Sequence, residues 1–203
     1  MTDQEATAPS TSNRTKDASS LWTVLARDIA LLAAVLSLFA AADAWHTLNP
    51  SGLSSALSLV DGLLAGLAIG AVAHEWGHFA GARLSGGDAP LKPASGFLPL
   101  FDFDYAGNSQ QHFRSMSIGG NVAHWLVVVI FVAQLPMTTV GQAALASGAF
   151  GFAVFASSVE FPVISHSYRG LPGMEALSKI PSDFLPRYGT YGALAALAVF
   201  ILL

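Results

Sequence analysis

Five long apolar blocks constrain this chain more than any other feature of its sequence. They fall near Leu21–Leu48, Leu57–Leu84, Met116–Met137, Val140–Ile164 and Tyr188–Leu203. A helix needs about 20 apolar residues to cross a bilayer, and buried helices of water-soluble proteins are seldom so uniformly apolar. Only 11% of the residues are charged, where soluble domains carry about a quarter. The chain therefore reads as an all-α polytopic membrane protein with about five transmembrane helices. The second block is longer than a bilayer requires, so its beginning, including Asp61, is expected in the outer interface. The fifth is short, and reads as tilted, interfacial or incomplete. Pro136 marks a tight connection between the third and fourth spans, because proline cannot continue a helix there.

The first twenty residues are polar, rich in Ser and Thr, and lack an apolar core. They read as a disordered cytoplasmic tail, followed by a single membrane-embedded domain over residues 21–203. They do not read as a cleavable leader, which would need a short apolar region and a small-residue cleavage site.

The basic residues supply an orientation. Arg14, Lys16 and Arg27 precede or open the first span, and Arg83, Lys92 and Arg114 flank the loop between spans two and three. Arg169, Lys179 and Arg187 lie between spans four and five, and these nine are all the Lys and Arg in the chain. All fall on one side, which the positive-inside rule makes the cytoplasm. Scattered singly, they form no nucleic-acid-binding surface. There is no cysteine, so any metal must be held by His and carboxylates.

Between spans two and three, the segment Leu91–Gly107 is too apolar for an ordinary loop and too broken by Pro and Gly for a helix. Phe101, Phe103 and Tyr105 alternate with Asp102, Asp104 and Ala106, a period of two that suggests a short strand. Non-helical backbone near a membrane is tolerated where protein or a watery cavity satisfies it. A re-entrant or interfacial hairpin and a hydrophobic loop lying on the surface both fit.

Chemistry enters at His74-Glu75-Trp76-Gly77-His78. Residues four apart share a helix face, so both imidazoles can reach one metal ion, with Glu75 close enough to act on a nearby water. Zinc in such a site lowers the pKa of water toward neutrality, and the glutamate takes the proton as general base. At 1.5 Å per residue, His78 and His74 lie roughly 8 and 14 Å inside the Arg83 end of the helix. That depth is within the cytoplasmic leaflet. If the histidines served only as polar glue between helices, Glu75 would be buried without a purpose. Span three brings Asn121 and His124 to the same level, and span four brings Glu160, His166 and then Glu175. Three segments thus place polar groups at one depth.

At these residues the chain resembles the site-2 proteases, the M50 family of intramembrane zinc metalloproteases. That family carries HExxH on its first core helix, then a re-entrant β-rich loop, a helix with G-P-x-x-N, and a third carboxylate ligand in a P-x-L-D-G context. The likeness runs from about Gly66 to Leu177, within a metalloprotease-like core of about 57–177. Gly120-Asn121-Val122-Ala123-His124 resembles the G-P-x-x-N helix, with Asn121 for Pro and His124 for Asn. Pro172-Gly173-Met174-Glu175-Ala176 resembles the ligand motif, with Glu for Asp and Ala for Gly.

The resemblance implies Zn2+ held by His74, His78 and Glu175, with His166 and Glu160 as the other candidates for the third ligand. It implies Glu75 as the base and His124 as a catalytic residue bonding the substrate carbonyl or oxyanion. The function so implied is cleavage of transmembrane or membrane-associated substrates near the cytoplasmic leaflet, and the Ala- and Gly-rich composition suggests a bacterial inner membrane. The alternative is a non-proteolytic protein of the same fold that binds or regulates a membrane partner. A transporter fits less well, since the ionisable groups gather in one leaflet and no inverted repeat is visible.

Overall fold

The computed structural model describes residues 11–92 and 99–203. Six helices follow one another among them: α1 (Thr11–Leu48), α2 (Gly52–Leu84), α3 (Gln110–Gln134), α4 (Val140–Tyr168), the short α5 (Gly173–Ser178) and α6 (Phe184–Leu202). Five are long and apolar enough to cross a membrane, over Leu21–Leu48, Gly52–Leu84, Gln110–Gln134, Val140–Tyr168 and Phe184–Leu202. The chain is an all-α polytopic membrane protein.

Several helix ends differ from the sequence expectation, for local reasons. Residues 11–20, expected in the tail, are helical, while residues 1–10 lie outside the described residues. Helix α2 starts at Gly52 because Ser51 caps it: the Ser51 hydroxyl accepts from the Ser54 N–H at 3.1 Å and the Ser54 hydroxyl accepts from the Ser51 N–H at 2.9 Å. This reciprocal box satisfies two amides that the helix cannot. Asp61 therefore lies well inside α2 rather than at its beginning. Ser109 caps α3 in the same way through His112, which moves its start ahead of Met116. Helix α4 runs through Pro162 to Tyr168, past the Ile164 end expected from sequence.

The bundle has two polar ends. At one, Asp43 of α1 accepts from Ser58 of α2 at 2.7 Å and from Thr139, the cap of α4, at 3.0 Å. At the other, buried Asp28 of α1 accepts from the Trp76 indole of α2 at 2.8 Å and from Arg27 at 2.7 Å. These two clamps make α1 and α2 antiparallel neighbours. All the Lys and Arg sit toward the Asp28 end or on the segments that join helices there. Removing Asp28 would leave the half-buried Trp76 indole N–H without this acceptor, at a cost of about 1–3 kcal/mol. Asp28→Ala is expected to lower the midpoint of thermal unfolding in detergent, and Asp28→Asn to recover part of it.

Helix α4 is the centre of the bundle: 56% of its most apolar window is buried, against 11% for α6. Helix α2 packs on α4 along one half and on α3 along the other. The second crossing is backbone on backbone, since a Cβ built at Gly77 would collide with the Gly119 carbonyl and with Ala123. Helices α2 and α6 both border α4 along a groove of about 640 Å³, lined by Leu63, Leu67, Phe152, Phe155, Gly189 and Ala196 among others. Ser147 of α4 also lines it, with the one buried side-chain oxygen that lacks a partner among the described residues. In a helix such a hydroxyl reaches the carbonyl four residues back by turning about χ1.

The segment after α2 forms an isolated antiparallel bridge, Leu91 to Phe101, and no strand among the described residues. Its backbone bonds are Lys92 N–H to Leu100 O at 3.1 Å and Asp102 N–H to Pro90 O at 2.9 Å. Residues 93–98 of the expected hairpin lie outside the described residues. The pairing sets Leu100 beside the HEWGH turn of α2.

Candidate metal centre

His74 and His78 are one helical turn apart on α2, and their Nε2 atoms stand 3.1 Å from each other. Glu160 of α4 completes the group: its Oε1 is 2.7 Å from His78 Nε2 and 3.4 Å from His74 Nε2. Zinc bonds of about 2.0–2.2 Å at tetrahedral angles would set ligand atoms about 3.3 Å apart. The three separations bracket that value, and two imidazoles with one carboxylate are a donor set that zinc accepts. These side chains are 13%, 13% and 17% exposed, shielded from bulk water but open to a cavity of about 230 Å³ that His74, Glu75 and Glu160 line with Phe152, Phe155 and Phe184.

Glu75 borders this cavity and a second one of about 190 Å³ on the α1 side. Its Oε2 accepts from the Leu100 N–H at 3.1 Å. The carboxylate thus lines the same cavity as the His–His–Glu group without belonging to it.

The carboxylate that joins the two histidines differs from the first choice drawn from sequence. Glu175 is exposed on α5 and lies outside the group of His74, His78 and Glu160. A one-turn helix at the surface leaves that carboxylate in solvent, whereas α4 runs unbroken past α2 and carries Glu160 to the histidines. His166 is six residues farther along α4, about 9 Å along the axis and on another face.

His124 also departs from its expected role. It is fully buried, with Nδ1 3.0 Å from His74 Nδ1 and Nε2 3.2 Å from Ser157 Oγ. Both ring nitrogens are engaged by protein, so none is left for a substrate carbonyl. The residue stands behind His74 rather than across the cavity from it.

Sequence reasoning passed over Ser157 and gave Asn121 and Trp125 no part in a metal site. Asn121 donates from Nδ2 to Glu160 Oε2 and to the Ser117 carbonyl, the latter at 3.2 Å. Ser157 Oγ is 3.1 Å from Asn121 Oδ1 and 2.9 Å from Trp125 Nε1. The far nitrogen of His78 faces the Met116 carbonyl at 2.9 Å. The one available signal was depth: Asn121, His124 and Glu160 are polar residues within apolar spans, and such residues need partners. Comparison with protein-family models, with curated proteins and with solved structures finds no match to this chain.

Proposed function

We propose that this protein is an intramembrane zinc-dependent endopeptidase, a divergent relative of the site-2 proteases. One observation carries the reading: the two histidines of HEWGH and Glu160 converge at metal-ligand spacing, with Glu75 on the wall of the same cavity. Zinc held there would supply Lewis acidity, drawing the pKa of water toward neutrality and polarising a peptide carbonyl. Glu75 would take the proton from the attacking water and return it to the amine nitrogen as the C–N bond breaks. A substrate segment unwound at the membrane surface has a backbone edge to join at the Leu91–Phe101 pairing, a familiar mode of peptide capture. The gathering of basic residues at this end supports a cytoplasmic leaflet and an inside amino terminus. Composition suggests a bacterial plasma membrane.

A second reading, a metal-binding protein that recognises a membrane partner without cleaving it, draws on the Leu100 N–H that occupies Glu75. Glu75→Gln separates the two. The protein purified in detergent without chelators is expected to hold about one zinc per chain and to cleave transmembrane peptides. The substitution should keep the zinc and lower cleavage roughly 10²–10⁴-fold. A partner-binding function untouched by Glu75→Gln would favour the second reading. Folded wild-type protein free of zinc would sink the protease.

A further inference from the structure

We infer that Asn121, His124 and Ser157 are positioning residues of the metal centre, joined in a one-way chain of hydrogen bonds that the metal closes into a ring, holding His74 and Glu160 in register. The inference rests on the metal site proposed above, and extends it to residues that touch no metal.

The direction of every bond in the chain follows by elimination. The Trp125 indole can only donate, so Ser157 Oγ accepts from it. The Asn121 side chain faces two acceptors, Glu160 Oε2 and the Ser117 carbonyl, with what must be its amino group. Its oxygen therefore faces Ser157 and takes the single hydroxyl hydrogen. With that hydrogen used, His124 Nε2 must be the donor to Ser157. A neutral His124 then presents a lone pair at Nδ1, which accepts from His74 Nδ1–H. His74 is left with a bare Nε2 facing the centre. Glu160 ends the chain, its Oε2 taken by Asn121 and its Oε1 pointing back at His74 Nε2.

His78 reaches the same state independently. Its Nδ1–H donates to the Met116 carbonyl, so a neutral His78 has a bare Nε2 as well. Three lone pairs thus face one another at 2.7–3.4 Å with no hydrogen assigned between them. Such a cluster repels itself unless a divalent cation, or a proton shared by His78 Nε2 and Glu160 Oε1, lies within it. The usual partner behind a ligating histidine is a carboxylate, a backbone carbonyl or water. An imidazole does the same work here without adding a buried charge, which an apolar interior favours. A divalent cation beside the carboxylates of Glu75 and Glu160 leaves the cluster with no net charge.

The test is zinc affinity of the purified full-length protein, by chelator competition, together with the absorption spectrum of the Co2+-loaded form. Ser157→Ala and His124→Phe are expected to weaken zinc about 10–100-fold and to shift the Co2+ bands. His124→Gln, whose amide can accept from His74 and donate to Ser157, should restore affinity to within about threefold of wild type. Gln and Phe both fill the site, and only one restores polarity, so a folding defect cannot mimic the pattern. Zinc binding that ignores Ser157→Ala and His124→Phe but is lost in Glu160→Ala would overturn the ring and leave the metal site standing. A wild-type protein without zinc would overturn both.

Discussion

Glu160→Ala is expected to empty the metal centre, while Glu175→Ala leaves about one zinc per chain. The asymmetry is large because Glu160 is the only carboxylate within ligand reach of both imidazoles among the described residues. Its loss leaves two neutral donors, and a structural zinc site ordinarily takes four ligands and a catalytic one three from protein. It also strips Asn121 of its acceptor, so the ring behind His74 opens. Glu175, exposed on α5, has no comparable part. Elemental analysis of the two variants beside wild type decides the matter. Zinc lost from Glu175→Ala and kept in Glu160→Ala would restore the ligand order drawn from sequence and reject the α4 assignment.

The second large effect is expected from one methyl group. A Cβ built at Gly120 would meet the His78 ring, within 2.7 Å of both nitrogens. The imidazole is pinned on its other side by the Met116 carbonyl and Glu160, so the ring has to rotate away. Gly120→Ala is therefore expected to fold, with helix content and unfolding midpoint near wild type, and to lose zinc affinity at least as severely as the ring variants. Alanine is also the better helix former by about 1 kcal/mol, which works in favour of the fold. Retention of wild-type zinc would mean that His78 does not sit against α3 as described.

Five spans and the HEWGH turn were legible because each is a local pattern: uninterrupted apolar length in one case, the i, i+4 spacing of a helix face in the other. Glu160 was harder to place. The expected fourth span already held it at the depth of the histidines, but the likeness of Pro172–Ala176 to a ligand motif put Glu175 ahead of it. Within a span its burial needs a partner, and the histidines of α2 are that partner. His124 could be given the right depth but not the right direction. Depth follows from counting residues along a helix, whereas facing follows from how α3 rolls against α2 at Gly77 and Gly119, which no linear pattern specifies. Ser157 carried no signal at all: a small hydroxyl in an Ala-rich helix looks like packing until its neighbours are known.

The two middle letters of HExxH are conventionally free. Here neither is. Trp76 reaches across to Asp28 and ties the motif to α1, and Gly77 has no room for a side chain at the crossing with α3. Grafting these five residues onto another pair of helices would transplant two of the three candidate ligands and leave their footing behind. The portable unit is a four-helix junction, with an acid on α1, a bare stretch of backbone on α3 and the Glu160 carboxylate on α4. A designer who screened the middle positions in this chain would find almost no tolerated alternatives, and would be measuring the junction rather than the chemistry.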